Sequence, residues 1–200
     1  MMQVQVKSSN GITLAPIESV LLSDRKIFIE GEIDSEQACE FVKQVLVLNK
    51  VNPEKPINVL INSQGGEIKA GMLMYDVIQS SKAPIRVFCL GKAYSMAAIL
   101  FASGNHGRYI LPNGELMIHE PLLGSTVSGN SSSIKSISDT LIDKKNQMNR
   151  ILAKHTGKPL EVVEEATSFD HYFDADESVE FGLCDRIMSF GEMTEVTNER

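Results

Sequence analysis

Cysteine is scarce in this chain of 200 residues. Cys39, Cys89 and Cys184 are odd in number and widely spaced, and no Cys-x-x-Cys pair occurs. That argues against a disulfide framework and reads as reduced core thiols in a cytoplasmic protein. No histidine stands at metal-ligand spacing from another His or Cys, so no metal site is expected. Basic charge is short too: 19 Lys and Arg face 26 Asp and Glu, a formal net charge of −7. A phosphate backbone needs a basic face, which excludes nucleic acid as the main partner. No apolar run approaches the roughly 20 residues of a membrane span. Met1 to Asn10 has no apolar h-region, so no secretory signal is expected. Gly-x-x-x-x-Gly-Lys-Ser/Thr is absent, so no nucleotide phosphate site and no bound cofactor are expected.

What is present is an ordinary globular balance, 42% apolar and 22% charged. It suffices for one domain with a sizeable core. Residues 1–22 read as a loose N-terminal arm with a Ser8-Ser9-Asn10-Gly11 break, and 23–200 as a single domain without repeats. Lys26 to Glu30, Ile57 to Ile61 and Ile85 to Leu90 are strand patterns, the last two apolar enough to be buried on both faces. Between the first two, Ala38, Phe41, Val42, Val45 and Leu46 share a helical face, opened by Asp34 as N-cap with Gln37 completing a capping-box pattern. Gly65-Gly66 makes a turn, and Ile68, Met72, Tyr75 and Val77-Ile78 support the next helix. Strand and helix thus alternate, which predicts an α/β fold with a mainly parallel sheet. Tyr109 to Leu111 and Glu115 to Ile118 are further strands. Leu123 to Ser133 is a Gly/Ser-rich, mobile stretch, and a long amphipathic helix runs from about Ile134 to Thr156, stopped by Gly157. Asp174, with Glu177, caps a last short helix that ends at Gly182.

Two residues carry candidate chemistry. Ser95 sits among small residues between the strand ending near Leu90 and an apolar helical run, Met96 to Ala102. A sharp strand-to-helix turn there lifts a hydroxyl clear of the sheet and aims backbone N–H groups at a developing negative charge. A serine needs a base to become nucleophilic, and His119, after the run Glu115 to Ile118, is the natural one. A packed structural turn is the plainer reading of Ser95 taken alone. Lys92 offers a Ser–Lys alternative but lies on the entering side of the turn. His106 reads as a turn residue, His155 as a complement to a helix dipole, and His171 as pointing away from Asp170 if its segment is extended.

The wider text is more specific. Asn62-Ser63-Gln64-Gly65-Gly66-Glu67-Ile68, Tyr94-Ser95-Met96-Ala97-Ala98 and Met117-Ile118-His119-Glu120-Pro121 follow in order at close spacing. Ile151 to Glu161 and Ser178 to Asp185 extend the pattern. Together they resemble the proteolytic subunit of the Clp protease, from about Leu22 to about Ile187. The resemblance implies repeated ββα units of the ClpP/crotonase type, with a protruding long "handle" at about 122–157. It implies a serine endopeptidase with Ser95 as nucleophile, His119 as base and Asp170 as acid. The oxyanion hole would be the N–H groups of Gly66 and Met96. Of four carboxylates between Asp170 and Glu177, Asp174 and Asp176 suit a helix start, while Asp170 lies between Phe169 and Tyr172, placed to enter a cleft. As partners, the resemblance implies copies of itself in a ring of about seven, possibly stacked as a 14-mer. It also implies unfolded polypeptides and a separate AAA+ unfoldase that uses the ATP. Departures stand at Gln64, where the family usually has proline, at Glu120 for glutamine, and at Ser168-Phe169 for an Asp-Arg pair. Glu120 is expected to bear on His119. The competing readings are a catalytically weak ring subunit and a crotonase-type acyl-CoA enzyme, which needs no serine nucleophile.

Overall fold

The computed structural model describes residues 2–8, 11–124 and 128–198. Residues 9–10 and 125–127, inside the expected break and the Gly/Ser-rich stretch, lie outside these. The chain opens with β1 (Gln3–Ser8) and β2 (Gly11–Pro16), an antiparallel pair forming its own sheet. The arm expected to be loose is therefore a hairpin. Val4, Val6, Ile12 and Leu14 alternate with polar residues at the period of a strand. Ile12 and Leu14 remain about 60% exposed, so the hairpin buries little.

After α1 (Ile17–Ser23) come β3 (Lys26–Ile33), α2 (Ser35–Val51), β4 (Ile57–Gly66), α3 (Ile68–Ser80), β5 (Ile85–Tyr94) and α4 (Met96–Ala102). Strands β6 (Arg108–Ile110) and β7 (Glu115–Ile118) precede the 26-residue α5 (Ser131–Thr156). The chain closes with α6 (Leu160–Ala166), β8 (His171–Phe173), α7 (Ala175–Phe181), β9 (Arg186–Ile187) and α8 (Phe190–Asn198). Strands β3, β4, β5, β6 and β9 form a parallel sheet in that order. β7 pairs parallel to the far end of β5, and β8 pairs antiparallel to β7. This is the expected α/β architecture with a mainly parallel sheet and a long helix.

The core lies between the sheet and α2, α3 and α4. All seven residues of α4 are buried, as befits a helix apolar on every side. A smaller cluster on the other face of the sheet, around Leu60, Phe88, Met188 and Met193, is covered by α8. The helix stops behave as expected: Gly157 and Gly182 are left-handed, and Asp174 with Glu177 forms a complete capping box.

Some expectations need correction. Asp34 accepts from Gln37 N–H, but the Gln37 amide donates to Glu30 O at 2.7 Å, so the box is only half made. Leu46 is 65% exposed, because Phe41, Val45 and Leu48 take the inward face of α2. Cys39 is exposed on that helix and is no core thiol, whereas Cys89 and Cys184 are buried. His155 does not carry the charge that a dipole complement requires. Burial, helped by Lys154 and Arg108, pushes its pKa down to about 4, and its Nε2 meets Tyr75 Oη at 3.0 Å.

Candidate active site

Ser95 is the single residue between β5 and α4. Its φ is 54° and its ψ is −120°. Arg25 is the one other non-glycine at positive φ among the described residues. Such a conformation costs about 1–3 kcal/mol and persists only where its surroundings over-determine it. Here they do. Ser95 N donates to Met117 O at 2.7 Å, Ser95 O accepts from Ala98 N at 3.0 Å, and the helix beyond is wholly buried. Met96 N and Ala97 N stand first in α4, where N–H groups lack the acceptor one turn back that the rest of a helix has.

Gly65 and Gly66 are the last two residues of β4, paired with Glu32 and Ile33, and not a turn. Their glycine character serves close approach. A Cβ on Gly65 would lie 2.6 Å from Tyr94 O and 2.9 Å from the Ser95 Cβ, and one on Gly66 would lie 2.1 Å from Ile33 O. Glu67 N donates to Ile33 O at 2.7 Å.

Strand register converges the other side chains. Tyr94 is level with Met117, and Ile118 is level with His171. Ser95 follows Tyr94, His119 follows Ile118, and Asp170 precedes His171, so the three meet at one end of three adjacent strands. Ser95 Oγ lies 2.8 Å from His119 Nε2, and His119 Nδ1 lies 2.9 Å from Asp170 Oδ1. With its proton on Nδ1, the imidazole donates to the carboxylate and accepts from the hydroxyl. The His119 side chain is 12% exposed, that of Asp170 57%. The acid thus reaches the imidazole without entering a cleft, and its neighbour Phe169 is 74% exposed.

Lys92 leans over the Tyr94 ring, 5.6 Å from its centroid, while the Ser95 hydroxyl is taken by His119. Tyr94 itself donates a short hydrogen bond to Glu115, which with burial pushes its pKa up to about 12. Burial pushes Cys89 to about 12 and Cys184 to about 11, so both thiols stay protonated and are not competing nucleophiles. His106 lies in a turn, its N–H on Ile85 O, and His171 stacks on Phe173 at 4.2 Å. Ser168 Oγ donates to Glu165 O at 2.6 Å. Glu120 turns to Lys145 Nζ on α5, 2.6 Å away, and not to His119.

Sequence reading missed three supporting side chains. Lys145 holds Glu120, while Thr167 Oγ1 donates to Asn149 Oδ1 at 3.0 Å in the interior. Each pair is distant in sequence, and no local periodicity signals it.

No helix among the described residues is long and apolar enough to cross a membrane. The profile of the Clp protease family matches residues 9–190 of the 200, through the Ser95 turn, the His119 strand and the Asp170 segment alike. With nearly the whole chain covered, this protein belongs to the Clp protease family and is a ClpP-like peptidase by kinship.

Proposed function

We propose that the chain is the proteolytic subunit of an ATP-dependent Clp protease, a serine endopeptidase acting through Ser95, His119 and Asp170. The observation that carries this reading is the unbroken relay from hydroxyl to imidazole to carboxylate, 2.8 and 2.9 Å long. Ser95 Oγ attacks the peptide carbonyl carbon while His119 Nε2 takes the hydroxyl proton. Asp170 stabilises the imidazolium formed. The N–H groups of Gly66 and Met96 receive the developing oxyanion. His119 then protonates the leaving amine, and water, activated by the same imidazole, releases the acyl group from Ser95. These side chains complete the reaction without a bound cofactor.

The family in general forms rings and works with Clp ATPases. On that basis we assign this chain to a ring of about seven copies that encloses the sites, with a separate ATPase feeding it unfolded polypeptide. In this reading α5 is the handle through which two such rings stack as a 14-mer. The free thiols of Cys39, Cys89 and Cys184 suit the cytoplasm. An exposed Asp170 and the Ser168-Phe169 pair favour one second reading, a ring subunit of low activity that serves assembly.

The test compares a short fluorogenic peptide with a tagged folded protein, with and without ATP and a Clp-type ATPase. The expected result is ATP-independent cleavage of the peptide. Loss of the folded protein is expected only with the ATPase and ATP, because a stability of about 5–15 kcal/mol must first be overcome. Digestion of the folded protein by the chain alone would overturn the enclosed-site reading. Silence toward both substrates would favour the low-activity subunit.

A further inference from the structure

Helix α5 touches both loops of the candidate site through side chains one turn apart. Lys145 Nζ is 2.6 Å from a carboxylate oxygen of Glu120, the residue after His119. Asn149 is buried and accepts from Thr167 Oγ1, and Thr167 lies shortly before Asp170. Positions i and i+4 share a helix face. The two loops are also joined directly, Glu120 N donating to Thr167 O at 2.8 Å. Glu120, Lys145, Asn149 and Thr167 therefore close a ring, one side of which is the helix backbone.

The segment bearing His119 needs such an anchor. The β7 ladder ends at Ile118. Beyond His119, Leu122 is 71% and Leu123 51% exposed, so the following chain gains little hold from burial. Past His119 itself, the N–H and carboxylate of Glu120 are the next groups held, by Thr167 O and Lys145.

We propose that Lys145 is a positioning residue: its ion pair with Glu120 holds the end of β7 against α5 and keeps His119 in reach of Ser95. Its catalytic consequence rests on the serine peptidase reading above. The pair is partly exposed, 35% and 42%. An ion pair in that setting adds little to stability. Catalysis is far more sensitive to place, since a shift of about 1 Å can cost roughly 100-fold in rate. Losing the pair should therefore slow the chemistry while leaving the fold intact.

The experiment uses the full chain as wild type, Lys145→Met, Glu120→Gln, the neutral double variant and the swap Lys145→Glu/Glu120→Lys. Two readouts are followed: the rate at which a fluorophosphonate labels Ser95, and amide hydrogen exchange over residues 117–121. Each single variant should label roughly 10-fold more slowly, with kcat for a peptide lowered alike and KM unchanged. The neutral double should be no worse than either single, and the swap should recover most of the rate. Exchange should rise in the singles and fall back in the swap, with the melting temperature and native mass unchanged throughout. Labelling and exchange equal to wild type in both singles would overturn the tether. So would a swap no better than the singles. A wild-type chain that takes no label overturns the peptidase reading instead, and exchange over residues 117–121 then decides the tether by itself.

Discussion

The two ends of the relay are built in opposite ways. Ser95 stands at the mouth of the core, between a ten-residue strand and a helix of which every residue is buried. Its strained backbone is clamped by Met117 O and by the close passage of Gly65. Asp170 stands at the surface beside an exposed Phe169, and its tie to the site is the bond to His119 Nδ1. The Ser95 hydroxyl is thus positioned by the same burial that folds the chain, while the Asp170 carboxylate is held by a polar contact that water can contest. Errors at the first end disturb the fold, and errors at the second disturb the tautomer and orientation of His119 alone.

The comparison can be broken most forcefully at the reacting pair. Ser95→Ala and His119→Ala should each lower peptide hydrolysis by roughly 10⁴-fold, and the double variant by little more, because the two act as one unit. Single-turnover hydrolysis of a fluorogenic peptide measures this, and additive losses would show that the residues work separately. Asp170→Asn should cost less, roughly 100-fold, because a water-exposed carboxylate stabilises the imidazolium less than a dry one does. A loss as large as that of Ser95→Ala would show that assembly covers the acid and removes the contrast.

The next comparison is one of stability. Gly65→Ala places a Cβ within 2.6 Å of Tyr94 O at a φ of 91° and should destabilise the fold by about 1–3 kcal/mol. Phe169→Ala, beside the acid, should stay within about 0.5 kcal/mol of the parent. Urea titration of both variants reads the difference, and equal midpoints would remove the distinction between an embedded and a surface-built end.

The last prediction is a pH slope from the buried side. His155 titrates near 6.5 when unfolded and near 4 when folded. Its contribution to stability is therefore complete above pH 6.5 and is lost as pH falls toward 4, because the unfolded chain binds the proton first. His155→Gln should flatten the dependence of the urea midpoint on pH across that window. An unchanged slope would assign the acid sensitivity to other groups.

Much of this was legible residue by residue. The apolar runs 57–61 and 85–90 became the central strands, and Asp174, Gly157 and Gly182 marked helix ends where they fall. The turn at Ser95 was legible because it is local, with small neighbours, a strand before and a helix after. Asp170 was set apart from three nearby carboxylates only weakly, by their fit to a helix start and its own apolar flanks, because its partner lies 51 residues away. Glu120 drew notice as an acid beside His119, yet its carboxylate went to Lys145, a choice made by where α5 packs. Cys39 was misread because an apolar neighbourhood in sequence does not say which side of a helix faces out.

The sequence by itself determined the alternation of strand and helix, the helix ends at Gly157, Asp174 and Gly182, and the family, and it singled out Ser95 and His119. These follow from periodicity and from short motifs, whose physics spans a few residues. Only the tertiary structure decided that Gly65 and Gly66 end a strand, that the relay closes at 2.8 and 2.9 Å, that its acid end is exposed, and that α5 grips both site loops. Those outcomes depend on strand register and helix packing, which bring together side chains far apart in the chain and leave no local trace in it.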